Sequence, residues 1–341
     1  MLPVSSKEAL YYRPVGNGKV ICELCPHYCE IAENQKGRCH VRQNEGGKLY
    51  TLVYGAISIV NVDPVEKKPL YHFFPGRKTF SFAPYGCNLS CKYCINWEIS
   101  QQKAARSSAE AKAISPSALV DYAVQNHCMG IAYTYIEPSI FYELSLDTAK
   151  IAHEHGLKNI YKTNGYITAE PLKAINPYLD AANVDLKSFS DASYRSFGGR
   201  LQPVLDTLAR MKSLGVWLEV TTLIIPGIND STEEIGAMAR FIAQSLGCDT
   251  PWHLSRFFPA YKMQETPSTP ESTILQARDI GRQAGLRYVY CSNLSQKGYK
   301  DTLCHHCRNP LVTRLGHQIV VNKVKDRRCP ICQTVLAGRF E

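Results

Sequence analysis

Long apolar runs are missing from this chain of 341 residues. A membrane-spanning helix needs about 18 or more consecutive apolar residues, and the longest candidate, residues 216–228, is broken by Glu219 and Pro226. The first residues, Met1-Leu2-Pro3-Val4-Ser5, carry no basic stretch followed by an apolar one. No export signal is therefore expected, and the chain is read as cytoplasmic with no membrane partner. Low-complexity sequence is scarce too, a polar, Ala- and Ser-rich connector at 101–113 being the exception. With 45% apolar and 20% charged residues, the composition excludes disorder. At this length, a large core with attachments is expected.

Cysteine is what the chain has in excess. Fourteen thiols in a chain without an export signal point to metal or catalysis rather than disulfides. Eleven fall into three groups: Cys22, Cys25, Cys29 and Cys39; Cys87, Cys91 and Cys94; Cys304, Cys307, Cys329 and Cys332. Cys128, Cys248 and Cys291 stand alone in or beside apolar stretches and are expected to pack as small hydrophobes. The formal charge of +9 loses weight for the same reason, since a four-thiolate zinc site carries about −2. Residues 296–341 hold nine Lys and Arg against three Asp and Glu. Without interleaved aromatics, a solvated basic face is expected there, RNA phosphates or an acidic protein being the alternatives.

Seven β-rich runs recur through the middle, at 79–83, 131–135, 158–163, 181–186, 216–225, 252–257 and 286–291. Between most of them lie stretches with helical spacing, at 116–127, 141–155, 204–213, 232–246 and 272–284. Gly130, Gly156, Gly215, Gly247 and Gly285 stand shortly before β runs, where a glycine ends a helix in the left-handed conformation. Ser231 and Glu234 read as a capping box. The alternation predicts an α/β fold with a parallel sheet and helical crossovers, and leaves a partial barrel and an open doubly wound sheet both standing. Three pieces are expected: a Cys-rich β domain at 1–75, the β/α repeat at 76–298, and at 299–341 a hairpin turning at Gly316 and His317 on a metal knob.

The stretch Tyr85-Gly86-Cys87-Asn88-Leu89-Ser90-Cys91-Lys92-Tyr93-Cys94 directly follows the first of these runs. Three thiolates at this spacing can converge on a 4Fe–4S cubane from one tight loop, and four would complete it. Three leave one iron open, as catalytic zinc sites leave a position open. A zinc site completed by a distant ligand, or a buried trio, is the alternative.

This CxxxCxxC pattern resembles the radical S-adenosylmethionine (SAM) superfamily. The resemblance implies a partial (β/α)6 TIM-like barrel in which SAM chelates the open iron. One electron, from a reductant such as flavodoxin or ferredoxin, then cleaves it to methionine and a 5′-deoxyadenosyl radical. Thr134-Tyr135-Ile136-Glu137-Pro138 ends the second strand where the superfamily has Gly-Gly-Glu. Only Glu137 matches well, which implies contact with the SAM amino group; a first-turn helix acid is the alternative. Thr163-Asn164-Gly165 and Asp185-Leu186-Lys187 resemble motifs of glycyl-radical-enzyme activators, implying that Asn164 and Lys187 bind SAM, Lys187 at its carboxylate. Asp185, Glu219, Thr221 and His253 are further SAM-binding candidates, and Tyr93 is expected near the adenine. Glu219 and Thr221 share side-chain parity on the fifth strand, while His253 and Arg256 come from the sixth. Polar residues at the carboxyl ends of successive strands are where barrel active sites are built. The activators have an acid before Thr-Asn-Gly and this chain has Lys162, so a monovalent-cation site using that acid is not expected.

Nearly the whole chain resembles the radical SAM component of the AmmeMemoRadiSam system, related to pyruvate formate-lyase activating enzymes. The likeness rests on Cys22-Glu23-Leu24-Cys25-Pro26-His27-Tyr28-Cys29, Gly37-Arg38-Cys39-His40-Val41-Arg42, Asp63-Pro64-Val65-Glu66-Lys67-Lys68-Pro69-Leu70-Tyr71-His72, Ile225-Pro226-Gly227-Ile228-Asn229-Asp230 and the C-terminal Cys pairs. Memo-type and AMMECR-type proteins, with which that family co-occurs, become candidate partners. Ile95 departs from it, standing where Gln is expected.

Cys304-x2-Cys307-x21-Cys329-x2-Cys332 reads as a zinc-ribbon-like knuckle with a closed four-cysteine zinc site. Metal would supply the folding energy of so short a piece. A rubredoxin-like iron site or free thiols is the alternative, and His305 and His306 are read as solvated. Cys22-x2-Cys25-x3-Cys29-x9-Cys39 fits zinc or an auxiliary iron–sulfur cluster, with His27 and His40 as substitute ligands; zinc is slightly favoured, as a staple.

The expected function is a radical SAM enzyme of activase-like oxidoreductase type, taking hydrogen from a protein or peptide by analogy with glycyl-radical activation. Modification of RNA or a small metabolite is the rival among enzymes. A metal-stapled binding module with a structural cluster is the rival outside them.

Overall fold

The computed structural model describes residues 2, 3, 5–101 and 113–341, so the connector expected at 101–113 lies almost wholly outside them. Six short strands come first: β1 (Lys7–Glu8), β2 (Tyr12–Gly16), β3 (Lys19–Cys22), β4 (Glu30–Ile31), β5 (Arg42–Glu45) and β6 (Lys48–Thr51). They form two small antiparallel sheets, β1-β6-β5 and β2-β3-β4. The central sheet begins with β7 (Ile59–Pro64), within the span expected for the N-terminal piece, and β7 pairs antiparallel with β8 (Lys78–Ala83). Then β9 (Gly130–Tyr133), β10 (Lys158–Thr163), β11 (Ala181–Asp185), β12 (Trp217–Ile224), β13 (Trp252–Arg256) and β14 (Val289–Ser292) add in parallel.

The helices are α1 (Trp97–Ser100), α2 (Pro116–Gln125), α3 (Tyr142–Glu154), α4 (Ala169–Ile175), α5 (Asp191–Ser196), α6 (Leu201–Ser213), α7 (Thr232–Phe241) and α8 (Glu271–Gln283). Strand order from β7 to β14 follows the sequence without a reversal. Right-handed crossovers in one direction place the helices on one face, whereas a doubly wound sheet reverses; that option is removed. The ladder is also not a closed barrel, since β7 and β14 are its edges. Its seven parallel strands correspond to the seven β-rich runs and exceed by one the six of the barrel that the resemblance implies, because β14 adds a last unit.

Local chemistry explains the boundaries. Ser115 accepts a hydrogen bond from Ala118 N and Pro116 takes the first position of α2. Ser231 caps α7 through Glu234 N, but the other half of the expected capping box does not form. Glu234 Oε1 instead accepts from Ser188 Oγ at 2.5 Å and Phe189 N at 2.7 Å, tying the loop after β11 to α7. Gly156, Gly215, Gly247 and Gly285 have positive φ as expected, whereas Gly130 does not. It lies within β9, where a Cβ would come within 2.1 Å of Lys158 O, and His127 takes the left-handed position after α2.

Asn159 and Tyr161 of β10 bond Ala149 O and Ser145 Oγ of α3, so alternation turns Ile160 and Lys162 to the opposite face. There Ala132, Ile160 and Ala181 pack against Val65, Leu70 and Phe73. These come from the β7–β8 connection, a strap over the face that the helices leave bare. Strands β15 (Thr302–Leu303), β16 (Pro310–Leu315) and β17 (Gln318–Asn322) form the C-terminal sheet, with the expected turn between the last two. That sheet packs on the strap through Tyr71, Tyr288, Tyr290, Leu311, Leu336 and Phe340. Cys128 and Cys291 are buried, as expected of packing residues, but Cys248 is only half-buried. No helix among the described residues is long and apolar enough to cross a membrane.

Candidate active site

Strand β8 runs directly into the cysteine loop, residues 86–94. Gly86 has φ +98°, and a Cβ there would lie 2.7 Å from Val41 Cγ1 and 2.9 Å from Cys39 O, so glycine lets the loop lie against the N-terminal piece. The loop is pinned from several directions: Gly86 N donates to Ile99 O, Ser90 N to Phe197 O, and Asn88 Nδ2 to Tyr166 O. His27 Nε2 meets Asn88 O at 2.6 Å. Burial pushes the thiols of Cys87 and Cys91 up, a penalty that coordination to a cationic centre reverses. Three soft donors on one fixed loop fit a 4Fe–4S cluster with an open iron.

The ends of β9 and β10 meet beside this loop. Glu137 Oε2 accepts from Asn164 N at 2.7 Å, Thr163 Oγ1 bonds both carboxylate oxygens, and Ser139 N donates to Oε1. The carboxylate thus caps the short turn Pro138–Phe141 and couples the two strand ends. Burial raises its pKa against these bonds. Asn164 Nδ2 lies 2.9 Å from Asn88 Oδ1 and 4.0 Å from Cys87 Sγ.

At the end of β11, Asp185 sits between two ammonium groups. It pairs with Lys162, and with Lys187 at 3.0 Å. Burial works to raise the carboxyl pKa, but the two lysines prevail and hold it at about 2. Lys187 is pushed well above its ordinary value by Asp185, overcoming burial, and its Nζ stands 5.9 Å from the centre of the buried Tyr93 ring. Two cations around one anion leave a net positive charge next to Cys91. Thr221 joins through Asn183, whose Oδ1 accepts from Thr221 Oγ1 at 2.7 Å and Lys162 Nζ at 2.8 Å.

Glu219 and His253 belong to a different group. Glu219 accepts from Tyr71 N, His72 N, Trp217 Nε1 and His253 Nε2 at 2.6–3.0 Å, and is fully buried. Burial lowers the His253 pKa against the pull of the Glu219 carboxylate; with Nε2 engaged by Glu219, His253 Nδ1 has no partner. Arg256 points elsewhere again, to Thr269 O and Glu271. Asn88 and Asn183 join the site without having been singled out beforehand. Asn183 has the inward parity of Asp185, and Asn88 lies inside the cysteine motif; those are the signals that could have found them.

The C-terminal thiols converge. All four sulfurs lie within 4.8 Å of one another, with Cys304–Cys332 and Cys307–Cys329 both at 3.6 Å. This group could hold a metal ion. His305 is not simply solvated, since its Nδ1 meets Tyr288 OH at 3.0 Å. Cys22, Cys25, Cys29 and Cys39 instead line a pocket.

A parallel β/α sheet with a three-thiol loop at the carboxyl end of its first parallel strand defines a metal-cofactor enzyme. Residues 83–242 match the family model described as the Radical SAM superfamily. An uncharacterized protein of Methanocaldococcus jannaschii is 40% identical over 328 residues, 96% of this chain and 97% of that one. The pyruvate formate-lyase-activating enzyme of Clostridium pasteurianum is 24% identical over 169 residues, 49% of this chain and 70% of that one. A solved domain of a pyruvate-formate lyase-activating enzyme from Bacteroides vulgatus aligns with a TM-score of 0.43 and 18% identity, over 48% of this chain and 99% of that one. The chain belongs to the radical SAM superfamily and is related to glycyl-radical activating enzymes; the family implies a 4Fe–4S cluster and SAM as cofactors.

Proposed function

We propose that this protein makes a 5′-deoxyadenosyl radical from SAM and uses it to take hydrogen from a protein or peptide. Cys87, Cys91 and Cys94 would hold the cluster, which would supply the electron and the open iron for SAM cleavage when bound, with flavodoxin or ferredoxin as reductant. The observation that carries this reading is the excess positive charge of Lys162, Asp185 and Lys187 beside Cys91, placed to receive the SAM carboxylate. Tyr93 offers the adenine a buried ring. Asn164 orients SAM, and Glu137, its carboxylate already occupied, acts by fixing Asn164. Thr221 steadies Lys162 through Asn183, while Glu219 and His253 hold the strap.

A macromolecular substrate is supported by apolar exposure around the loop. Ile95, next to Cys94, is 81% exposed, Trp97 stacks on Tyr261, and Phe258 is exposed. Zinc suits the C-terminal thiols, whose spacing matches a tetrahedral four-sulfur site. The long motif likeness favours the AmmeMemoRadiSam family, with Memo-type and AMMECR-type proteins as partners. RNA as substrate is the second reading, favoured by one observation. Arg278, Arg282, Arg287 and Arg308 line a pocket, where burial and the charges of Arg278 and Arg308 lower the Arg282 pKa.

The test is anaerobic SAM cleavage by dithionite-reduced, iron-loaded protein. 5′-Deoxyadenosine should form and should vanish in Cys91→Ala. A loaded protein that makes none, alone or with cell extract, is a structural-cluster module. Retention of tRNA that weakens steeply with salt would move the substrate to RNA.

A further inference from the structure

The two outer cysteine sets have the same ligands and different dimensions. Sulfurs around one tetrahedral zinc, at about 2.3 Å from the metal, lie about 3.8 Å from each other. The C-terminal set has that size. It is the one group among the described residues in which three or more candidate ligand atoms all lie within 4.8 Å of one another. Cys22, Cys25, Cys29 and Cys39 are more widely spread, around a pocket that they line with Leu24 and Ile31. A cubane spreads its thiolates in this way, because each binds a different iron.

A second observation is a buried cation beside the thiols. Arg42 also lines the pocket and is 1% exposed. Its Nη1 lies 3.7 Å from Cys22 Sγ and its Nη2 pairs with Glu143, yet its Nε has no partner. What bears on the pocket is the guanidinium beside Cys22: a buried cation there would offset the negative charge of a four-thiolate cluster. The position of the pocket is the third observation. Asn88 is one of its walls; its carbonyl meets His27, its side chain meets Asn164, and it adjoins Cys87. Gly86 rests on Cys39 O. The two cysteine loops are in contact.

We propose that Cys22, Cys25, Cys29 and Cys39 hold a second iron–sulfur cluster of the 4Fe–4S type, which relays single electrons to the cluster on Cys87, Cys91 and Cys94. A ferredoxin- or flavodoxin-type donor is oxidised by one electron and the N-terminal cluster is reduced by it. That cluster is reoxidised as the catalytic cluster is reduced, and no bond or proton changes place. The relay rests on the function proposed above; the second cluster does not.

The test begins with the full chain carrying Cys87→Ala, Cys91→Ala and Cys94→Ala, reconstituted anaerobically. It should keep about four irons and about four sulfides per chain and, when reduced, give an electron paramagnetic resonance signal that SAM does not alter. Zinc in place of iron at the N-terminal set overturns the site. This metal count does not involve SAM cleavage, so it stands or falls separately from the catalytic reading. For the relay, Cys25→Ser with Cys29→Ser should lose at least tenfold more SAM cleavage with reduced flavodoxin than with dithionite; equal losses overturn it. Should that variant misfold, rapid freezing of wild-type protein mixed with reduced flavodoxin decides the matter. The N-terminal signal must precede the catalytic one, and the reverse order overturns the relay.

Discussion

Two polar groups share the face of the sheet opposite the helices, and they are built on opposite principles. Around Glu219, the acceptor capacity of one carboxylate is filled by four donors and water is excluded. Around Asp185, two ammonium groups share one carboxylate, and side chains remain 13–29% exposed. In the first arrangement the carboxylate is fully engaged, and the atom left over is His253 Nδ1 beside it. The second has a surplus charge and an opening. Position at a strand end alone does not mark a residue for chemistry; incomplete compensation does.

The sharpest way to break this contrast is Glu219→Ala. It would leave two backbone N–H groups, an indole and an imidazole without an acceptor, and should cost about 3–5 kcal/mol in denaturant unfolding. Lys187→Met should do the reverse. Asp185 keeps Lys162, so no buried charge is orphaned and stability should fall by under about 1 kcal/mol. SAM cleavage, measured as kcat/KM, should drop about 100-fold, or about 2.7 kcal/mol.

Acid titration probes the sealed group next. Burial holds the His72 pKa down at about 4 and also lowers that of His253. The unfolded chain therefore takes up these protons first as pH falls below about 6.5. Stability should be full above that pH and fall toward pH 4 by up to about 1.4 kcal/mol per unit for His72, with a further loss of the same sign from His253. His72→Gln should flatten part of this slope. The Asp185 contribution has a lower window, present above about pH 4 and lost as pH falls through about 2. Least of all, Thr221→Val removes one hydrogen bond to the residue joining the two groups. It should cost about 1 kcal/mol in unfolding and change SAM cleavage only a few-fold.

Much of this was legible beforehand for physical reasons. The parallel strands announce themselves through apolar runs between helices, and the strand-end position of Asp185 and Lys187, near Cys91 in the structure, was readable from that pattern. Three helices escaped: α1 spans four residues, α4 has Pro171 in its first turn and α5 spans six residues, so none shows a period. Parity showed that Glu219 faces inward, but not which partner it meets. Tyr71 and His72 are 147 or more residues away in the chain, and only the fold brings them there. Capping failed in the same manner at Glu234, whose carboxylate found Ser188 across 46 residues.

The strap also sets an order of assembly. Its partners at the far end are the last residues of the chain: His72 Nδ1 meets Ala337 O across 265 positions, Phe74 N donates to Arg339 O, and the Arg314 guanidinium lies 4.2 Å from the Tyr71 ring. Contacts of such long separation form late. During synthesis the β/α units can pair one after another as they emerge, while the strap keeps one side bare until the C-terminal cysteines have left the ribosome. Covering of the sheet's bare face and convergence of the C-terminal thiols are then a single closing event, so a chain whose C-terminal thiols fail to converge would have a finished sheet and an unlatched strap.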